Sequence, residues 1–336
     1  MLYPYILHLV LQLFRTNQFA VNILLLFYAS LLWFSTFVIA HPISVVKGGA
    51  LGELFSFWVD PTSTAANLIA IVLVFFQAFL VNVLVSKYRM ASELSLFPGV
   101  FYILLTSFFP DFLYLSPILI ANTFLILSFD ELFDTYRQHS SAAKIFNVGF
   151  FVGLASLIYS SYFLFIFLAI IALSILRAFR SKEIVILVIG LGVPYFLGGA
   201  LSFWLDQWDF FWQTQFGNTY QFLNFVGVAN WMTYAKLSFI GFLLLVVIFS
   251  YGSYNLKKNI RIQKNISIFY WALFIGALSL LVQSPIGLLH LLIIVPVLAI
   301  LLSFSFLKFS KPTAEALHLI FLICALLLQY KTLFLS

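Results

Sequence analysis

Long, unbroken apolar runs joined by short polar links set the pattern of this chain. The runs cover roughly 20–40, 65–86, 94–109, 112–133, 145–158, 163–179, 184–205, 235–255, 266–283, 286–307 and 312–330. A helix needs about 20 apolar residues to cross the hydrocarbon of a bilayer, and most of the runs reach that length. Strands of a membrane barrel would alternate apolar and polar side chains over about ten residues. These runs are continuous, so they predict helices, whose backbone polar groups are satisfied internally in lipid. The expected fold is an all-α, polytopic transmembrane bundle of about eleven spans, forming a single integral membrane domain over 1–336.

The longest polar links, 41–64 and 206–234, are aromatic as well as polar. Phe55, Phe57 and Trp58 lie in the first; Trp208, Phe210, Phe211, Trp212, Tyr220 and Phe222 lie in the second. Such loops are expected to lie along the membrane surface as short amphipathic helices. Residues 2–14 predict another interfacial helix, since Tyr3, Tyr5 and His8 suit the headgroup region. Arg15 before an apolar stretch mimics a signal peptide. The run is long, however, and Val38-Ile39-Ala40 is a poor small-residue cleavage site, so it reads as the first span. No internal repeat suggests the inverted halves of a transporter. The runs 94–109 and 145–158 are short, and each is followed at once by the next, across Pro110-Asp111 and Tyr159-Ser160-Ser161-Tyr162. Two such hairpins can form a cavity dipping in from outside, or simply pack; the pattern leaves both open.

Composition removes the soluble alternative: the chain is 63% hydrophobic and 8% charged. Charge then orients it. Threading the runs alternately leaves only Lys47, Lys236 and Lys331 of the 17 basic residues on one face. The positive-inside rule makes the other face cytoplasmic, with the N-terminus inside and the C-terminus outside. The net charge of +6 is therefore a topology signal beside anionic lipids, and no basic stripe suits nucleic acid. The single cysteine, Cys324, lies within the last run, which excludes a disulfide framework and a thiolate metal site. No zinc-ligand spacing, phosphate-binding glycine loop or nucleophile elbow is present. Asp130, Glu131 and Asp134 fall on the inner side, where Asp134 is expected to pair with Arg137 one turn on. Asn67, Asn122 and Asn147 are expected to glue helices together.

Three stretches carry a family resemblance. Phe109-Pro110-Asp111-Phe112-Leu113 opens the fourth run, Asn147 through Leu157 is dotted with Gly149 and Gly153, and Pro285 through Leu302 contains His290 and Pro296 in a leucine-rich setting. Together with the short paired spans, they resemble the C-type superfamily of integral membrane glycosyltransferases that use polyprenyl-phosphate-linked sugars. The whole chain also resembles a family of inner-membrane proteins of Bacteroidota. The glycosyltransferase resemblance implies sugar transfer on the outer face of the bacterial inner membrane. It implies a catalytic acid in the first outer loop and a second at the outer start of the fourth span. The chain departs from that pattern: Glu53 and Asp60 are separated, no arginine lies on the outer face, and the large outer domain of many members is missing.

On this resemblance the candidate catalytic residues are Asp111, Glu53 and Asp60, acting as a base toward the acceptor or holding a divalent cation. Lys47, His290, Lys236, Asp209 and Trp212 are the candidate substrate-binding residues. Each has a plainer reading. Glu53 follows the glycines of Gly48-Gly49-Ala50-Leu51-Gly52 as a solvated acid on an interfacial helix. Asp60-Pro61-Thr62 looks like a helix start, with Asp as cap and Pro at the first position. Asp111 after Pro110 opens a helix, where the dipole favours an anion. His290 is a hydrogen-bonded packing histidine, and Asp209 with Trp212 belongs to a wet aromatic belt. Expected partners are membrane lipids and a polyprenyl-phosphate-linked sugar. The alternative functions are a non-catalytic membrane subunit working with other envelope proteins in secretion or motility, or a lipid or solute transporter.

Overall fold

The computed structural model describes residues 10–15, 19–39, 41, 46–138, 140–178, 180–217, 231–256, 258–282 and 287–331. Among them there is no strand, and each apolar run is met by a helix. In chain order these are α1 (Phe19–Trp33), α2 (Thr64–Lys87), α3 (Phe97–Thr106), α4 (Pro117–Asp134), α5 (Ala142–Ile158), α6 (Phe165–Leu176), α7 (Ser181–Trp204), α8 (Trp231–Phe249), α9 (Ile260–Val282), α10 (Val295–Phe306) and α11 (Lys311–Gln329). Five segments are long and apolar enough to cross a membrane: Val21–Val38, α2, α7, α8 and α11. Their outward faces are apolar: Phe27 is 66% exposed, Phe203 72% and Phe249 84%. In water such surface is strongly disfavoured; against lipid chains it is the matching solvent. The chain is a helical membrane protein.

The short helices are the innermost ones. Every residue of α3 and of α10 is buried, and they pack on each other with the Phe101 and Phe306 rings 4.4 Å apart. The ten residues of α3 rise about 15 Å, half the thickness of the hydrocarbon. Tight turns adjoin these helices, Pro110–Phe112 after α3 and Leu288–Ile293 before α10, and these two turns pack against each other. Irregular backbone in a membrane protein is tolerated where protein satisfies it. Pro296 shows how it is satisfied. Lacking an N–H, Pro296 cannot bond the carbonyl of Leu292 four residues back; Asn122 Nδ2 donates to that oxygen at 3.0 Å instead. Asn122 Oδ1 in turn accepts from the Tyr162 hydroxyl at 2.7 Å. Asn67 donates to the Thr36 carbonyl and Asn147 to Glu131, so all three asparagines join separate elements as expected.

The glycines of the fifth run serve packing between helices. A Cβ on Gly149 would lie 2.1 Å from the Leu187 carbonyl oxygen, and one on Gly190 would lie 2.3 Å from that of Phe146. Only glycine lets the backbones of α5 and α7 approach this closely.

The ends of the bundle differ in charge. Lys87 pairs with Asp130 at 2.8 Å, Arg15 with Glu93 at 2.9 Å and Arg177 with Glu183 at 3.1 Å. Arg261 and Lys264 lie over the Tyr136 ring. The expected pair of Asp134 with Arg137 is not formed; Asp134 pairs with Lys144. The helix stops at Asp134, and Arg137 adopts a left-handed φ of 56° in the turn that follows, so it no longer stands one turn further along a helix. Of the expected interfacial helix 2–14, residues 2–9 lie outside the described residues. Val10–Leu13 is helical and docked: Glu315 on α11, almost fully buried, accepts the N–H groups of Val10 and Leu11 at 2.9–3.1 Å.

Candidate functional site

At the end opposite the basic cluster, two candidates from distant parts of the chain meet. Lys236 Nζ on α8 donates to Asp111 Oδ2, and the two side chains are only 13% and 17% exposed. The same ammonium lies 5.8 Å from the Phe109 ring centroid. Asp111 does not open the fourth helix, as its sequence setting suggested. It sits in the turn Pro110–Phe112, and α4 starts at Pro117, capped by the Ser116 hydroxyl accepting from Leu119 N–H. The serine wins because its extended backbone and short hydroxyl stand directly before the helical proline. Asp111 is thus freed from capping and held by charge.

His41 and Tyr114 complete the surroundings. Burial pushes the His41 imidazole below its ordinary pKa, and the Asp111 carboxylate works against that shift. His41 bonds Ser35 at 3.1 Å. His41, Tyr114, Leu113, Asn67 and Thr62 line a cavity of about 110 Å³.

Asp60 reaches the rim of this cavity only through its turn. The carboxylate accepts from Thr62 N–H at 2.8 Å and from the Thr62 hydroxyl at 2.7 Å, bonds that hold it below the usual carboxylate range. The expected helix start at Asp60-Pro61-Thr62 is displaced: α2 begins at Thr64 with Ser63 as its cap. Asp60 closes the turn before that cap.

Glu53 lies on the helix Ala50–Trp58 and accepts from Gly48 N–H at 2.7 Å, closing its own N-terminal turn. The glycines there are tightly packed. A Cβ on Gly49 would lie 2.3 Å from the Leu157 carbonyl oxygen, and one on Gly52 would lie 2.2 Å from that of Ile158. A residue unmarked in the sequence fixes this helix. Gln215 accepts from Ala50 N–H at 2.9 Å and donates to the Ser156 carbonyl at 3.0 Å. No local signal distinguishes Gln215 from the other glutamines of the link 206–234.

His290 is fully buried in the turn Leu288–Ile293, with its Nδ1 against Gly287 N–H at 3.2 Å and its ring edge-on to Tyr159 at 5.6 Å. Its Nε2 has no hydrogen-bond partner among the described residues. Lys47 is exposed. Asp209 and Trp212 are exposed on the short helix Trp208–Trp212, where Trp212 stacks on Trp208 at 6.1 Å. Tyr220 and Phe222 of that loop lie outside the described residues.

Among the described residues no group of three or more His, Cys, Asp or Glu is gathered to hold a metal. A cation at Asp111 would find one carboxylate, already answered by Lys236. No protein-family model, curated protein or solved structure matches the chain.

Proposed function

We propose that the chain is the membrane core of a glycosyltransferase that threads the bacterial inner membrane about eleven times and takes its sugar from a polyprenyl-phosphate donor on the outer face. The observation that carries this reading is the shielded Asp111–Lys236 pair beside His41 and a cavity, at the end away from the basic cluster. Sugar transfer requires a proton acceptor for the attacking hydroxyl and a cation for the departing phosphate. Asp111 takes the proton of the acceptor hydroxyl as the hydroxyl oxygen bonds to the anomeric carbon. The bond from that carbon to the phosphate oxygen breaks, and the electron pair leaves with the phosphate. Lys236 turns from the carboxylate to the phosphate, so that one ion pair is exchanged for another without leaving a bare charge in a poorly hydrated site.

A second reading, a non-catalytic subunit of an envelope machine, draws on the size of the cavity. Its 110 Å³ or so is smaller than the roughly 300 Å³ at which small-molecule pockets begin. Lipid extracts decide between the two. A deletion strain is expected to accumulate a polyprenyl-phosphate sugar by mass spectrometry. The wild-type gene should clear it and Asp111→Asn should not, at equal protein level. Full complementation by Asp111→Asn would sink the enzyme reading and leave the subunit ahead.

A further inference from the structure

The basic end holds two lysines beside one short helix, Tyr251–Asn255. Lys308, just after α10, donates from Nζ to Ser253 Oγ at 2.6 Å and lies 4.7 Å from the Tyr254 ring centroid. Lys258, just before α9, is placed at the end of the short helix by its N–H, which donates to the Asn255 carbonyl at 3.3 Å; burial, and after it the charge of Lys258, lower the Lys308 pKa. Four other cations of this end are paired: Arg15 with Glu93, Lys87 with Asp130, Lys144 with Asp134 and Arg177 with Glu183. Among the described residues neither Lys258 nor Lys308 has an ion-pair partner. Like charges held together disfavour the charged state, and an added anion relieves that strain.

A second feature lies on the same short helix, Tyr251–Asn255. Tyr251 bonds Ser267 at 3.1 Å and lines an open groove of about 470 Å³ with Tyr270, Trp271 and Phe274. One short element therefore presents a hydroxyl to the Lys308 ammonium and an aromatic ring to an apolar groove. A ligand matching both is anionic at one end and hydrocarbon at the other.

We propose that Lys258, Lys308 and Ser253 bind the phosphate of an anionic glycerophospholipid, with an acyl chain lying in the Tyr251–Trp271 groove. The ammonium groups and the serine hydroxyl supply donors to the phosphate oxygens, as in other charge-assisted sites. The site is remote from Asp111 and stands apart from the catalytic reading.

The test uses the full-length protein in detergent, titrated with phosphatidylglycerol, phosphatidylcholine or inorganic phosphate and read by native mass spectrometry. Phosphatidylglycerol should bind in preference to phosphatidylcholine. Each lysine near a membrane surface strengthens anion binding about fivefold, so Lys258→Gln with Lys308→Gln should lose about thirtyfold. Lys258→Gln alone, which leaves the Lys308–Ser253 bond in place, should lose about fivefold and guards against misfolding of the double variant. Lys182→Gln, an exposed cation elsewhere, should lose nothing. Equal loss with Lys182→Gln would reduce the effect to diffuse surface charge and overturn the site. Competition by inorganic phosphate at millimolar concentration would make it a soluble-anion site and overturn the lipid assignment.

Discussion

Lys236 and Asp111 stand 125 residues apart in the chain, yet their side chains form a shielded ion pair at the end of the bundle away from the basic cluster. Removing one partner of such a pair leaves the other charge poorly solvated, which costs more than the pair itself contributes. Asp111→Asn and Lys236→Met are each expected to lose about 2 kcal/mol, and the double variant to lose about 1–2 kcal/mol less than their sum. Thermal unfolding in detergent checks this. Strict additivity would mean that the two charges do not interact.

Gly149 and Gly192 lie on facing helices in different surroundings. A Cβ at Gly149 would meet backbone at 2.1 Å, whereas one at Gly192 would meet nothing within 4 Å. Gly149→Val should destabilise by about 2–3 kcal/mol, while Gly192→Ala should gain about 0.5–1 kcal/mol from helix propensity. Equal effects at both sites would contradict the close approach of α5 and α7.

Asn122 answers the carbonyl that Pro296 strands. Asn122→Leu should cost about 2–3 kcal/mol by leaving the Leu292 carbonyl unpaired and the Tyr162 hydroxyl with only its longer bond to the Ile118 carbonyl at 3.4 Å. In a Pro296→Ala background the restored N–H can take the carbonyl, so the same substitution should cost about 1 kcal/mol less. A double-mutant cycle by thermal melts measures the difference. No coupling would remove Pro296 as the reason for the asparagine.

His41 sets a pH dependence. Its folded pKa lies below the ordinary 6.5, with burial the main cause and Asp111 opposing. As pH falls below 6.5 the unfolded chain binds the proton first, so stability is full above that value and declines toward the folded pKa. His41→Gln should flatten this decline. Asp111→Asn should extend it to lower pH, because it removes the anion that supports the imidazolium. Melting temperatures across pH 5–7 read both outcomes, and a decline unchanged by His41→Gln would assign it to other groups.

Orientation is tested with single cysteines in a Cys324→Ala background. An impermeant thiol reagent applied to intact cells should label Lys47→Cys and should reach Lys182→Cys only after permeabilisation. The reverse pattern would put Asp111 in the cytoplasm and remove an outer-face reaction.

The positions of the helices were legible in the sequence because they follow from apolar length alone, a local property that lipid enforces on every segment. The asparagine links at Asn67, Asn122 and Asn147 were legible for the same reason, since a buried amide in hydrocarbon must find a partner. Caps were less so. Asp60 and Ser63, or Asp111 and Ser116, offer equally good local signals, and only the backbone path of the packed chain selects the serines. Glycines announced themselves by identity, but their use as contact points between α5 and α7 depended on which helices became neighbours. The sequence by itself determined an all-helical chain in a membrane solvent, with most of its basic residues in alternate links. Only the tertiary structure decided that Asp111 would answer Lys236, that Gln215 would hold the helix Ala50–Trp58, and that two short helices would form the centre. Those outcomes rest on distances between residues far apart in the chain, which side-chain type and spacing do not encode.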